Sequence, residues 1–186
     1  GGGSIAAYVG TLGVSLGTMV ANLSAHKAGW DNKWELFSDW AVKGQTYKEQ
    51  LLFLVDEDTN AFNKIIDGFR MPKDTNEEKQ ARALAIENAT IYATEIPFKV
   101  METAFQSMEV MQAMLKDGLQ NSLSDAGVGV LCARTAVIGA YFNVRINAKD
   151  IKDRTFAASI LAKAAIIYKQ TIAIENDTIA FIDSKI

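Results

Sequence analysis

Apolar residues recur at spacings of three and four along most of this chain, with no period-two runs and no Asn-Gly hairpin signal, and the only prolines are Pro72 and Pro97. A helix turns about every 3.6 residues, so such spacing lines one face of a helix and scatters over both faces of a strand. The chain is therefore read as all-α, a bundle of long antiparallel helices. At 186 residues it suits a single domain over 1–186 that buries a core without disulfide or metal support. Helices are expected near Ser4–Ala25, Thr46–Arg70, Thr75–Glu95, Pro97–Leu115, Asp125–Ala148 and Asp153–Ser184, with a shorter turn at Trp34–Lys43. Asp74 or Thr75 ahead of Glu77 and Glu78 marks one helix start, and Ser124 is expected to cap the helix entered at Asp125. Pro97 lacks an N–H and is expected to break or kink one long arm there. The last helix carries Phe156, Ile160, Ala164, Ile167, Thr171, Ile174, Thr178 and Phe181 on one face, a stripe for a bundle or for a partner subunit.

Composition excludes several classes. Hydrophobic residues at 49% and charged residues at 22% are globular values and argue against disorder. A net charge of -3 without a Lys/Arg cluster gives no footprint for nucleic acid. Cys132 and His26 are the only residues of their types, so neither a disulfide nor a Cys/His zinc site is expected, and a reducing cytoplasmic setting fits. Residues 1–25 carry no charge and are long enough for a membrane span. The lack of a basic leader and the interruptions at Thr11, Ser15, Thr18 and Asn22 favour a helix buried in a bundle, with no membrane partner.

Four segments stand out as carriers of chemistry. Within Thr46–Arg70, Leu51, Val55, Phe62, Ile65 and Phe69 form an apolar stripe with Asp58 at its centre, whereas Asp56 points away. A carboxylate driven toward low dielectric holds its proton more tightly, the condition for proton exchange near neutral pH. A core Asp held by a basic or backbone donor is the competing reading. Gly1, Gly2, Gly3 and Ser4 lead into the first helix, whose free N–H groups and dipole favour an anion or a polar ring; a flexible terminus is the alternative. Ala6, Gly10, Gly13 and Gly17 make a small-residue seam suited to a crossing helix or, alternatively, to a flat ligand. Asn143 and Asn147 flank an expected core face of Leu131, Thr135, Ile138, Phe142 and Ile146; they either fasten neighbouring helices or read a heteroaromatic edge. Met101, Met108, Met111 and Met114, with Phe98 and Phe105, read as core, as do Trp30, Trp34 and Trp40, and His26 reads as a polar end to the first helix.

Taken in order, Gly1-Gly2-Gly3-Ser4-Ile5-Ala6-Ala7, Val55-Asp56-Glu57-Asp58-Thr59-Asn60-Ala61-Phe62, Ile96-Pro97, Ser124-Asp125 and Gly139 through Asn147 resemble the formiminotetrahydrofolate cyclodeaminase family. That family includes the cyclodeaminase domain of formiminotransferase-cyclodeaminase and related methenyltetrahydrofolate cyclohydrolases. The resemblance covers nearly the whole chain. It implies an all-helical homodimer with a tetrahydrofolate site near the subunit interface, no cofactor or metal beyond the folate substrate, and a catalytic acid matching Asp58. Gly1, Gly2, Gly3, Ser4, Ser124, Asp125, Asn143 and Asn147 are the matching substrate-binding candidates. The implied reaction converts 5-formiminotetrahydrofolate to 5,10-methenyltetrahydrofolate with release of ammonia, as in histidine degradation. A cyclohydrolase is the closest rival, and a non-catalytic folate-binding or scaffolding dimer is the alternative of another class.

Overall fold

The computed structural model describes residues 1–186, arranged as five helices: α1 (Gly2–Ala25), α2 (Trp34–Arg70), α3 (Asn76–Asp117), α4 (Leu123–Asn147) and α5 (Arg154–Asp183). The first four form an up-down-up-down bundle. Gly3, Gly10 and Thr18 of α1 meet Asp58, Leu51 and Gly44 of α2, so the two run antiparallel. Along α4 the order is reversed in the same way, with Gly2, Gly10 and Gly13 meeting Asn143, Ala136 and Gly129. Tyr47 with Glu109 and Tyr92 with Glu57 register α2 against α3. The fifth helix lies outside the bundle on α4, fastened by the Arg134–Glu175 ion pair at 3.0 Å and by the Tyr141 and Tyr168 rings, 5.0 Å apart.

Two expected breaks are absent. The turn at Trp34–Lys43 continues into one helix of 37 residues. Gly44 is required there because a Cβ would overlap the Thr18 hydroxyl. Likewise α3 runs unbroken for 42 residues through Pro97. The carbonyl four residues earlier, Ala93 O, loses its usual donor to the proline ring and is met from α4 by Asn147 Nδ2 at 2.6 Å. Helix α1 has 24 residues and α4 has 25, so the α2–α3 hairpin outruns them and projects roughly 18 Å past Asp58 at about 1.5 Å per residue.

The helix start at Thr75 is as expected: its hydroxyl accepts from Glu78 N at 3.1 Å, and Glu78 accepts from Thr75 N at 3.0 Å. The start of α4 is not. A short turn at Gln120–Ser122 leads in, Ser122 occupies the cap position, and Ser124 already lies inside the first turn.

The core is built from small side chains. On α4, Ala126, Val130, Ala133, Ala136, Val137, Ala140 and Val144 face inward and are fully buried. The expected core face is instead the outer one: Leu131, Thr135, Phe142 and Ile146 are exposed, the last at 61%. Helix α1 repeats the pattern, with Ala6, Ala7, Gly10, Gly13 and Gly17 inside and Ile5, Tyr8, Leu12, Met19 and Leu23 outside. A helix that is apolar all round gives hydrophobicity no preferred side, and close crossing then selects the small face. Gly13 and Gly129 show why: a Cβ on Gly13 would lie 2.7 Å from Gly129 O, and one on Gly129 would lie 2.9 Å from Gly13 O. The seam is thus used by a crossing helix. Met101, Met108, Met111 and Met114 fill the centre as expected, and the α5 stripe faces inward, with Ile160, Ala164, Thr171 and Thr178 buried. By length and apolarity alone α1, Gln120–Asn147 and α5 could each cross a membrane.

Candidate active site

Asp58 is carried on the inner face of α2, in line with buried Leu51, Leu54 and Ala61. Phe62 and Phe69 lie off that line and are exposed; Leu54, Ala61 and Gly68 hold the inner positions the sequence stripe assigned to larger residues. The carboxylate is half-buried, and two groups of α1 hold it. Ser4 Oγ donates to Asp58 Oδ2 at 2.8 Å. Gly3 presents bare backbone, where a Cβ would overlap Oδ1 and stand 2.6 Å from Cγ. Glycine here is a steric requirement for seating the acid. The first N–H groups of α1 have no helical acceptor, and with the helix dipole they place roughly half a positive charge beside this carboxylate.

Across from α2, α4 supplies Asn143 and Asn147. Asn143 Nδ2 donates to Gly139 O at 2.9 Å, one turn back on its own helix, while Asn147 reaches Ala93 of α3. Asn147 therefore fastens two helices, one of its two expected roles, and it also lines a cavity. That cavity is a cleft of about 330 Å³ bounded by Gly1, Gly2, Gly3, Asp58, Thr59, Ala61, Phe62, Ile65, Ala93, Asn143 and Asn147. It lies at the small end of the range for ligand pockets, about 300–1,000 Å³, and suits a bicyclic ring better than an extended molecule.

Beside Asp58, Glu57 accepts from the Tyr92 hydroxyl and from Asn60 Nδ2, the latter at 2.7 Å. The Tyr92 bond, then the Asn60 bond, hold its carboxyl below the usual carboxylate range, so Glu57 stays an anion. Donation to Glu57, with burial second, pushes the Tyr92 phenol up. The arrangement can thus bind a flat polar ring between α1 and α4 and offer one seated carboxyl group for proton transfer at its edge.

Six of the sequence candidates converge here: Gly1, Gly2, Gly3, Asp58, Asn143 and Asn147. Ser4 joins them through Asp58. Ser124 and Asp125 do not; they stand at the opposite end of α4, roughly 28 Å from Asn143 along the helix axis. Thr59, Ala61, Phe62, Ile65 and Ala93 complete the cleft walls, and the sequence named none of them as a site residue. Ala93 had a legible signal, its position four residues before Pro97.

An all-helical bundle with a carboxylate-bearing cleft at the glycine-rich end of α1 defines the class. The family described as formiminotransferase-cyclodeaminase matches residues 1–166, and the chain belongs to it. The mouse formimidoyltransferase-cyclodeaminase is 35% identical over 84% of this chain, which spans only 29% of that relative's length. A methenyltetrahydrofolate cyclohydrolase from Methylorubrum extorquens is 30% identical over 100% of the chain and 89% of its own length. A formiminotetrahydrofolate cyclodeaminase from Thermotoga maritima shares the fold, with a TM-score of 0.86 over 99% of this chain and 88% of that one, at 21% identity.

Proposed function

We propose that this chain is a folate one-carbon enzyme that converts 5-formiminotetrahydrofolate to 5,10-methenyltetrahydrofolate and ammonia, with Asp58 as its proton-transfer group. The observation that carries this reading is the seating of Asp58 between Ser4 and Gly3 in a ring-sized cleft. Starting from the amidinium form, N10 attacks the formimino carbon to give a tetrahedral centre bearing N5, N10 and an amino group. The proton on N10 must leave, and the amino group must gain one before its C–N bond breaks. One carboxylate that takes the first proton and returns it to the departing nitrogen serves both needs. The positive charge of the methenyl product is then that of the starting amidinium. The Ser4 hydroxyl fixes which Asp58 oxygen faces the reacting centre, and the α1 terminus offers donors to the ring. The reading needs no group beyond protein and substrate.

A second reading is favoured by one observation: the Methylorubrum cyclohydrolase is 30% identical across all 186 residues of the chain. In that reaction water attacks the methenyl carbon, Asp58 takes a proton from it, and the bond to N5 breaks to leave 10-formyltetrahydrofolate. One proton ends on N5 and one is released.

A homodimer is part of the proposal. The outward residues Ile5, Tyr8, Leu12, Met19 and Leu23 of α1 and Val128, Leu131, Phe142 and Ile146 of α4 lie on adjacent helices. With no charge along α1, a second copy is the fitting cover. The test of the reaction is Asp58→Asn, measured for ammonia release from the formimino substrate and for loss of methenyl absorption. A drop of about 10²–10⁴-fold is expected in whichever conversion the native chain performs. Unchanged rates would remove Asp58 from the mechanism.

A further inference from the structure

The two asparagines of the cleft are not free to choose which end of the amide they offer. A backbone carbonyl oxygen can only accept, so Asn147 must turn its NH₂ to Ala93 O and its Oδ1 away from α3. Asn143 is committed in the same sense by Gly139 O. Neither Oδ1 accepts a hydrogen bond from the protein, and both residues line the cleft. This wall therefore presents two acceptors one helical turn apart, while the first turn of α1 opposite presents N–H donors.

The orientation of Asn147 traces to a residue outside the cleft. In a helix without proline Ala93 O would be taken by the N–H four residues on, but that residue is Pro97. The orphaned carbonyl needs an outside donor, and Asn147 supplies it at 2.6 Å. We propose that Pro97 is a positioning residue that locks the Asn147 amide with its oxygen toward the cleft, so that the α4 wall selects a ring edge carrying N–H donors. On a reduced pterin those donors are the 2-amino group and N3–H. The inference rests on the reading of the cleft as a folate site, and it adds which edge of the ring α4 reads and what sets that polarity.

The test compares binding of tetrahydrofolate with binding of its 2-desamino-2-methyl analogue to the whole chain, together with hydrogen exchange of the Asn147 side-chain amide by NMR. The native protein should prefer tetrahydrofolate by about tenfold or more, the effect of one unmatched polar group in a binding site. Its Asn147 NH₂ protons should exchange slowly without ligand. Asn147→Ala should lose most of the preference. Pro97→Ala returns an N–H to Ala93 O, so it should melt no lower than the native chain, exchange the Asn147 amide faster and lose most of the preference. Asn147→Asp separates orientation from packing: it cannot donate to Ala93 O and should melt lower, yet it keeps an acceptor and should keep the preference. If tetrahydrofolate binds and the preference is unchanged in both Asn147→Ala and Pro97→Ala, this inference fails alone. Failure of the native chain to bind tetrahydrofolate would overturn both it and the folate reading.

Discussion

Replacing Gly3 by alanine separates the seating of Asp58 from the stability of the fold. The added Cβ would lie 2.6 Å from Asp58 Cγ and 2.9 Å from Oδ2, with Oδ1 nearer still. Ordinary carbon contacts begin at about 3.5 Å, so the group must retreat by about 1 Å. The carboxylate is the tip of a side chain and can turn aside, whereas the backbone of α1 is held along its length by α2 and α4. The retreat breaks the bond from Ser4, worth about 1.5–3 kcal/mol for a charged acceptor before allowance for its partial exposure. Alanine in the helix returns about 0.5–1 kcal/mol. A net loss of about 1 kcal/mol is expected in urea unfolding, against a fall of about 100-fold in turnover, the usual cost of a 1 Å misplacement. Adding Gly3→Ala to Asp58→Ala should instead be neutral or slightly stabilising, because nothing remains to collide with. Native turnover in Gly3→Ala, or the same stability loss with and without the Asp58 side chain, would refute the claim that this glycine makes room for the acid.

The glycine seam gives a graded comparison: Gly13→Ala drives a Cβ against the backbone of Gly129 and should cost about 2 kcal/mol, whereas Gly17→Ala meets the flexible Met111 sulfur at 2.8 Å and should be near neutral, both read from denaturant midpoints. Burial, then donation to Glu109, push the Tyr47 phenol from 10.0 up to about 12. The folded chain thus holds that proton to higher pH than the unfolded one. The stabilisation is complete below pH 10 and is lost as pH climbs through about 12, so Tyr47→Phe should flatten alkaline unfolding over that window. Leu12→Arg places a charge on the outward face of α1, 47% exposed in the single chain, and should shift sedimentation toward the monomer if that face is covered by a second copy.

Much of this was legible in the residues. The three-and-four spacing announced helices, and Asp58, at the centre of the stripe of Leu51, Val55, Phe62, Ile65 and Phe69, was read as facing inward, as it does. The identity of that face was harder to read, because size suggests Phe62 and Phe69 while packing chose Ala61 and Gly68. The same preference for bulk inverted α4, where Phe142 and Ile146 look like core and Ala136 and Ala140 are core. The helix boundary expected at Pro97 is missing because the donor that serves Ala93 O in place of the absent N–H comes from Asn147, fifty residues away and invisible to any local rule. Ser124 and Asp125 were grouped with the cleft by resemblance, and within one chain the length of α4 keeps them from it.

The backbone-to-backbone meeting of Gly13 and Gly129 works as a fulcrum. It lies about 15 Å along α1 from Gly3, with nothing bulky between the two helices to absorb a tilt. A side chain wedged in at that point would swing the mouth of the cleft open while leaving each helix straight. Substitutions far from any ligand would then be felt as weaker substrate capture, through leverage alone.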